Sequence, residues 1–172
     1  MANYFSRIDY AALDARQKEV HNFHIIAALL ANHGFATYPI RDDWNGGDMI
    51  ARHMTEWGRE TMTIQIKSRL TFDRKYQNKR LWVGFPIGDA AFVYPHDEIL
   101  QAYLAIREAK GLPLENSRAW TEGGCVHWAK PTDELLDLLQ PYLLSADRGD
   151  KFVYRNGELE MLETSDSAPP RS

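Results

Sequence analysis

The chain has 172 residues, enough for one domain with a real hydrophobic core, and 44% hydrophobic against 26% charged residues excludes disorder of the whole chain. The formal net charge of −4 counts against a strong, non-specific nucleic-acid binder. Cys125 is the single cysteine, which excludes an intrachain disulfide and a cysteine-based zinc cluster.

The first long element runs from about Leu13 to His33, where Phe23, Ile26 and Leu30 recur at helical spacing and Gly34 supplies the stop. Phe35 to Ile40 reads as a short strand, closed by the turn-rich Arg-Asp-Asp-Trp-Asn-Gly-Gly segment. Asp48 to Met54 is a second strand, Thr55 to Glu60 a hairpin loop, and Thr61 to Leu70 a third strand. Leu81–Phe85 and Ala91–Tyr94 follow as strands around an Ile-Gly-Asp turn. A helix is expected over about Glu98 to Lys110, a last strand over Cys125 to Ala129, and a helix from Thr132 to about Leu144 that Pro141 bends or ends early. From Thr164 onward the composition predicts disorder. The order of elements predicts a mixed α/β domain over residues 1–150, a central sheet flanked by helices, with an acidic, flexible tail over 151–172.

The start of the chain lacks the basic-then-apolar pattern of a signal peptide, and no apolar run approaches the ~20 residues that span a bilayer. The expectation is a cytoplasmic protein with no membrane partner. Charge is unevenly spread: Lys67, Arg69, Arg74, Lys75, Lys79 and Arg80 face the single acid Asp73 within residues 67–80. Such a patch is either a solvated loop or a phosphate-tracking groove. Tyr76 within it offers a ring for stacking on a base.

Four residues carry chemistry. In the third strand Met62, Ile64 and Ile66 point one way, and Thr63, Gln65 and Lys67 the other. With the apolar set in the core, Gln65 and Lys67 emerge together. Asp48 opens the neighbouring strand behind Gly46 and Gly47, which allow a bend or a close ligand approach. Taken alone, Gln-x-Lys is a common polar face of an edge hairpin. Glu19 changes the weighing, because it lies at nearly the same helical angle as Phe23, Ile26 and Leu30. It is therefore expected within the buried stripe, where a carboxylate needs a metal, a lysine or hydrogen-bond donors. The alternative is an exposed first turn. Carboxylate, second oxygen ligand and lysine together suit a divalent cation that polarises a phosphate and a water.

The runs Lys18-Glu19 to Leu30, His33-Gly34-Phe35-Ala36-Thr37, Gly46-Gly47-Asp48-Met49-Ile50-Ala51 and Thr63-Ile64-Gln65-Ile66-Lys67-Ser68 resemble the PD-(D/E)XK nuclease superfamily. The pattern is most similar to the branch of archaeal Holliday-junction resolvases and related restriction-type endonucleases, over roughly residues 14 to 70. The resemblance implies a restriction-endonuclease-like αβββαβ core and Mg²⁺-dependent (or Mn²⁺-dependent) phosphodiester hydrolysis. It implies Asp48 as central metal ligand, with Gln65 and the main-chain carbonyl of Ile66 beside it. Lys67 would orient or activate the attacking water, and Glu19 would complete the site or hold a water there. Two departures stand out: Gly47 occupies the usual proline position, and Gln65 replaces the usual acid, removing one negative charge from the ligand set.

His21 and His24, three apart, project away from the apolar stripe and read as solvent-exposed. His96-Asp97 reads as a helix cap, and Asp42 and Asp43 as turn residues. Trp120 and Trp128 carry no assignable role. Two readings follow: a metal-dependent deoxyribonuclease, or the same framework kept as a nucleic-acid-binding or protein-interaction module with little or no catalysis. DNA is the expected partner, with RNA and a homodimer left open.

Overall fold

Asp14 opens the first helix through a capping box: its carboxylate accepts the Gln17 N–H, and the Gln17 side chain accepts the Asp14 N–H. The computed structural model describes residues 7–41, 45–54, 61–145, 152–155 and 158–161, the last two segments by backbone alone. Helix α1 spans Ala15–Asn32 and ends before Gly34, whose φ of 82° is a conformation that glycine adopts without strain. Three strands follow, β1 (Phe35–Pro39), β2 (Met49–His53) and β3 (Met62–Ile66), then β4 (Leu70–Asp73), β5 (Leu81–Ile87) and β6 (Ala90–Pro95). Beyond them come α2 (His96–Ala109), the short α3 (Arg118–Thr121), β7 (Cys125–Trp128), α4 (Asp133–Leu139), β8 (Leu143–Leu144), β9 (Phe152–Arg155) and β10 (Glu158–Met161).

The fold is α/β around a mixed sheet in the order β1-β2-β3-β5-β6-β8. β3 and β5 pair in parallel, and the other described pairs of this sheet are antiparallel. Period-two alternation divides the sheet's side chains between two cores. Ile64, Ile66, Ala91 and Val93 pack with Ile26, Leu29 and Leu30 of α1. Val83, Phe85, Phe92 and Tyr94 pack with Ile99, Leu100 and Tyr103 of α2 and with Leu135, Leu136 and Leu139 of α4. Each such aliphatic or aromatic side chain stabilises the fold by about 1.5–3 kcal/mol of burial. Gly84 on β5 permits the close seat of α1, since a Cβ there would stand 3.1 Å from Ile26 Cδ1.

The third strand stops at Ile66 rather than Leu70. Leu70 and Phe72 instead begin β4, which leaves the main sheet, pairs with β7 and buries both side chains in the α2-side core. The crossover from β3 to β5 therefore consists of β4 and a 3₁₀ turn over Arg74–Tyr76, where αβββαβ order places a helix. The residues explain this: Leu70 and Phe72 alternate with period two, and Asp73 caps the 3₁₀ turn through the Lys75 N–H. Pro141 ends α4 early, as its missing N–H requires, and sits in a 3₁₀ turn over Gln140–Tyr142. The backbones of β9 and β10 form an antiparallel hairpin within the acidic C-terminal segment. The expected hairpin loop Thr55–Glu60, the turn acids Asp42 and Asp43, and the stretch from Thr164 lie outside the described residues. Among the described residues no helix is long and apolar enough to cross a membrane.

Candidate metal and phosphate site

Strand register brings the two chemical segments together. Met49 pairs with Ile64 in the antiparallel β2–β3 ladder, so Asp48, just before β2, lies beside the end of β3. The Asp48 N–H donates to the Ile64 carbonyl at 2.9 Å, and the Ile66 N–H donates to Asp48 Oδ2 at 2.7 Å. The Gln65 amide N–H₂ donates to the same Oδ2 and, at 3.4 Å, to the Ile66 carbonyl. Gly47 makes this approach possible. A Cβ at position 47 would stand 2.4 Å from Thr63 Cγ2 and 3.2 Å from Ile40 Cδ1. The proline that the resemblance leads one to expect at this position has no room here.

The donor set fits a hard divalent cation. The Gln65 nitrogen stands against two oxygens, Asp48 Oδ2 and Ile66 O, and a half-turn of the amide presents its own oxygen at that point. Carboxylate, amide and main-chain oxygens are the ligands such cations take. Among the described residues no three or more His, Cys, Asp or Glu side chains gather to hold a metal. The fit therefore rests on Asp48, Gln65 and the Ile66 carbonyl, with Glu19 on the same cleft.

Lys67 follows directly. Its N–H is tied to the Gly84 carbonyl at 2.8 Å, and its ammonium lies 5.4 Å from the centroid of the Tyr76 ring. Burial lowers the Lys67 pKa, Lys75 lowers it further, and the Asp48 carboxylate opposes both. A half-buried lysine with a weakened hold on its proton, facing a carboxylate, is suited to moving a proton or steering a water.

Glu19, Asp48, Gln65 and Lys67 line one cavity of about 570 Å³, together with Arg41, Lys75 and Lys79. Glu19 is exposed, which corrects its expected place within the buried stripe. Its helical angle is right, but α1 at about 27 Å outreaches the roughly 17 Å strands. The buried residues of α1 begin at Asn22, and Glu19, earlier on the helix, lines the cleft instead.

The basic run divides. Lys75 and Lys79 line the cleft; Arg69, Arg74 and Arg80 are exposed but do not. Arg74 instead lies over Trp120, 4.9 Å from its ring, beside Gly124. Tyr76 is 1% exposed, so it belongs to the core and is not free to stack on a base. Its ring underlies both Lys67 and Lys75.

Sequence reasoning missed the support behind this segment. His96, read as a cap, is fully buried: the Asp73 N–H donates to its Nε2 at 3.2 Å, which leaves the ring proton on Nδ1, 2.9 Å from Asp97 Oδ1. Asp97 also accepts the Asn78 N–H at 2.8 Å, and Tyr94 Oη donates to the Thr71 carbonyl. The end of β6 and the start of α2 thus clamp the crossover that carries Lys75, Tyr76 and Lys79. The signal was a His-Asp pair directly after an apolar strand. Of the two other histidines weighed, His24 is exposed, whereas His21 is half-buried against Tyr10, with ring centroids 5.3 Å apart.

Comparison with protein-family models, with curated proteins and with solved structures returned no match.

Proposed function

We propose that this protein is a metal-dependent nuclease that hydrolyses phosphodiester bonds, with one Mg²⁺ or Mn²⁺ held by Asp48, Gln65 and the Ile66 carbonyl. The restriction-endonuclease-like framework belongs to this proposal: α1, the β1-β2-β3 meander and a parallel strand next to β3 support it, and the non-helical crossover departs from it. The observation that carries the reading is the meeting of Asp48, Gln65 and Ile66 at one point, with the half-buried Lys67 on the same cavity. When bound, the cation supplies Lewis-acid polarisation of the phosphate and of a water. The chain's own residues do the rest. Lys75 and Lys79 draw the phosphate backbone into the cleft. Lys67 orients the attacking water and offsets the charge that develops on the phosphate. Glu19, exposed on the cleft wall, accepts hydrogen bonds from water there.

Cleavage of plasmid, linear and single-stranded DNA, and of RNA, with Mg²⁺ and with Mn²⁺, tests this. Metal-dependent cutting is expected, with a loss of about 10²–10⁴-fold in Lys67→Ala and a comparable loss in Asp48→Ala. Cutting that survives both substitutions, or no cutting under any condition, sinks the reading. One observation favours the second reading, a framework that binds nucleic acid or a protein partner without cutting it. The Gln65 amide already satisfies Asp48 without a cation. Tight DNA binding that needs no metal and yields no product would establish that alternative.

A further inference from the structure

Beside the cavity that Asp48, Gln65 and Lys67 line lies a second hollow of about 500 Å³, walled by Val20, Phe23, Pro39, Ile40 and Ile66. The two hollows share Glu19, Ile40 and Asp48, so they adjoin at the end of β3. Their chemistry differs. Lys67, Lys75 and Lys79 make the first cationic, whereas the second is apolar carbon with Arg16 and His24 along it. Val20 is 52% exposed, so its side chain is open to whatever enters the hollow.

Resting on the nuclease reading above, we propose that the second hollow takes one unpaired nucleobase of the strand whose phosphate enters the first. A nucleotide is an anionic phosphate joined through a sugar to a flat base with apolar faces. The two hollows present the matching order: a cationic one, the Asp48–Glu19 junction, then an apolar one. A hollow of this size, mostly apolar with a few polar groups, is what a flat ligand fills. Stacking on such walls is indifferent to sequence, because every base has a π face. A base in continuous duplex is paired and stacked, and must leave the stack to enter. The strand this protein cuts is therefore one with an unpaired base beside the scissile phosphate: a single strand, a flap or a frayed end.

Calorimetric titration of the full chain in Ca²⁺ with thymidine 5′-monophosphate and with 2-deoxyribose 5-phosphate tests the base contribution. The nucleotide is expected to bind about tenfold more tightly, the low to middle range of one base stack. Val20→Glu, at an exposed position where folding is not at stake, puts a solvated charge in place of an apolar wall; it should abolish that difference, while any effect on the shared phosphate falls on both ligands alike. Equal affinity of the two ligands in the unaltered protein overturns the base site while leaving the nuclease reading in place. A nucleotide advantage that persists in Val20→Glu puts the base elsewhere and also overturns it. No binding of either ligand overturns the base site, and the cleavage assay above then decides the nuclease reading by itself.

Discussion

Tyr76 lies beneath Lys67, its ring centroid 5.4 Å from the ammonium, and Lys75 stands 5.1 Å from the same ring. The π face offsets part of the cost of holding two cations together. The balance still falls against the charge on Lys67, whose pKa is lowered by burial and by Lys75. The protein thus stores an unfavourable charge at the point where its proposed chemistry needs one.

That balance predicts a trade between stability and activity. A lysine whose folded pKa lies below its unfolded one destabilises the fold most at low pH, where both states are protonated. As pH rises from the lowered pKa towards 10.5, the unfolded chain holds more protons and stability recovers. Lys67→Met should therefore be more stable than the natural chain at neutral pH. The gain is under about 1 kcal/mol, because solvent screens a half-buried group. It should shrink as pH approaches 10.5 and accompany the same loss of cutting, about 10²–10⁴-fold, as Lys67→Ala. Urea denaturation at several pH values measures it, and a destabilised Lys67→Met protein at pH 7 contradicts the account.

Restoring the acid at position 65 places two carboxylates in contact. In Gln65→Glu the introduced carboxylate and Asp48 would share one site, and their mutual repulsion raises the folded pKa of the pair above unfolded values. Stability is then retained below the ordinary carboxylate range and lost as pH climbs through it. Added Mn²⁺ should reverse the loss, since a cation binding only the folded state stabilises by mass action. The expected result is a lower Tm than the natural chain in chelator at pH 7 and a higher one in Mn²⁺. Equal metal shifts in both proteins would remove Gln65 from the ligand set.

His96 predicts a cost with a local signature. His96→Leu leaves the Asp73 N–H without its acceptor in the core and frees Asp97 from one of its two partners. An unsatisfied buried donor costs about 1–3 kcal/mol. Because the same groups hold the crossover, amides of residues 73–78 should lose hydrogen-exchange protection before those of α1. Uniform loss across the chain would mean that His96 acts only as core filler.

How far the sequence announces all this depends on which physical rule governs each residue. The alternation of Met62, Ile64 and Ile66 places β3 and the exit of Gln65 and Lys67 correctly, because a half-buried strand leaves one choice of face. Pro141 likewise ends its helix by its own chemistry. Glu19 escapes the same logic because periodicity fixes an angle, not how far a helix extends past the strands it covers. Tyr76 misleads because aromatic and basic residues intermingle both in a nucleic-acid groove and where a core ring underlies surface lysines; burial alone separates them. The β4–β7 pair joins residues some fifty positions apart, and no local pattern in Leu70–Asp73 names its partner.

Gly47 gives the sharpest test of how the ligand segments are seated. Its backbone is not in a left-handed conformation, so only space excludes a larger residue. The missing Cβ would meet Thr63 Cγ2 at 2.4 Å, and a β-branched side chain has little rotamer freedom with which to withdraw. Gly47→Ala should cost about 1–3 kcal/mol by overpacking. It should also weaken Mn²⁺ binding, because the strain falls on the residue next to Asp48. Thr63→Ser removes the clashing methyl, so the double variant should regain most of the lost stability and metal affinity. A double-mutant cycle measures the coupling, expected at about 0.5–3 kcal/mol. Additive effects would mean that β2 shifts as a whole to admit the methyl, and that the seat of Asp48 does not depend on the contact between Gly47 and Thr63.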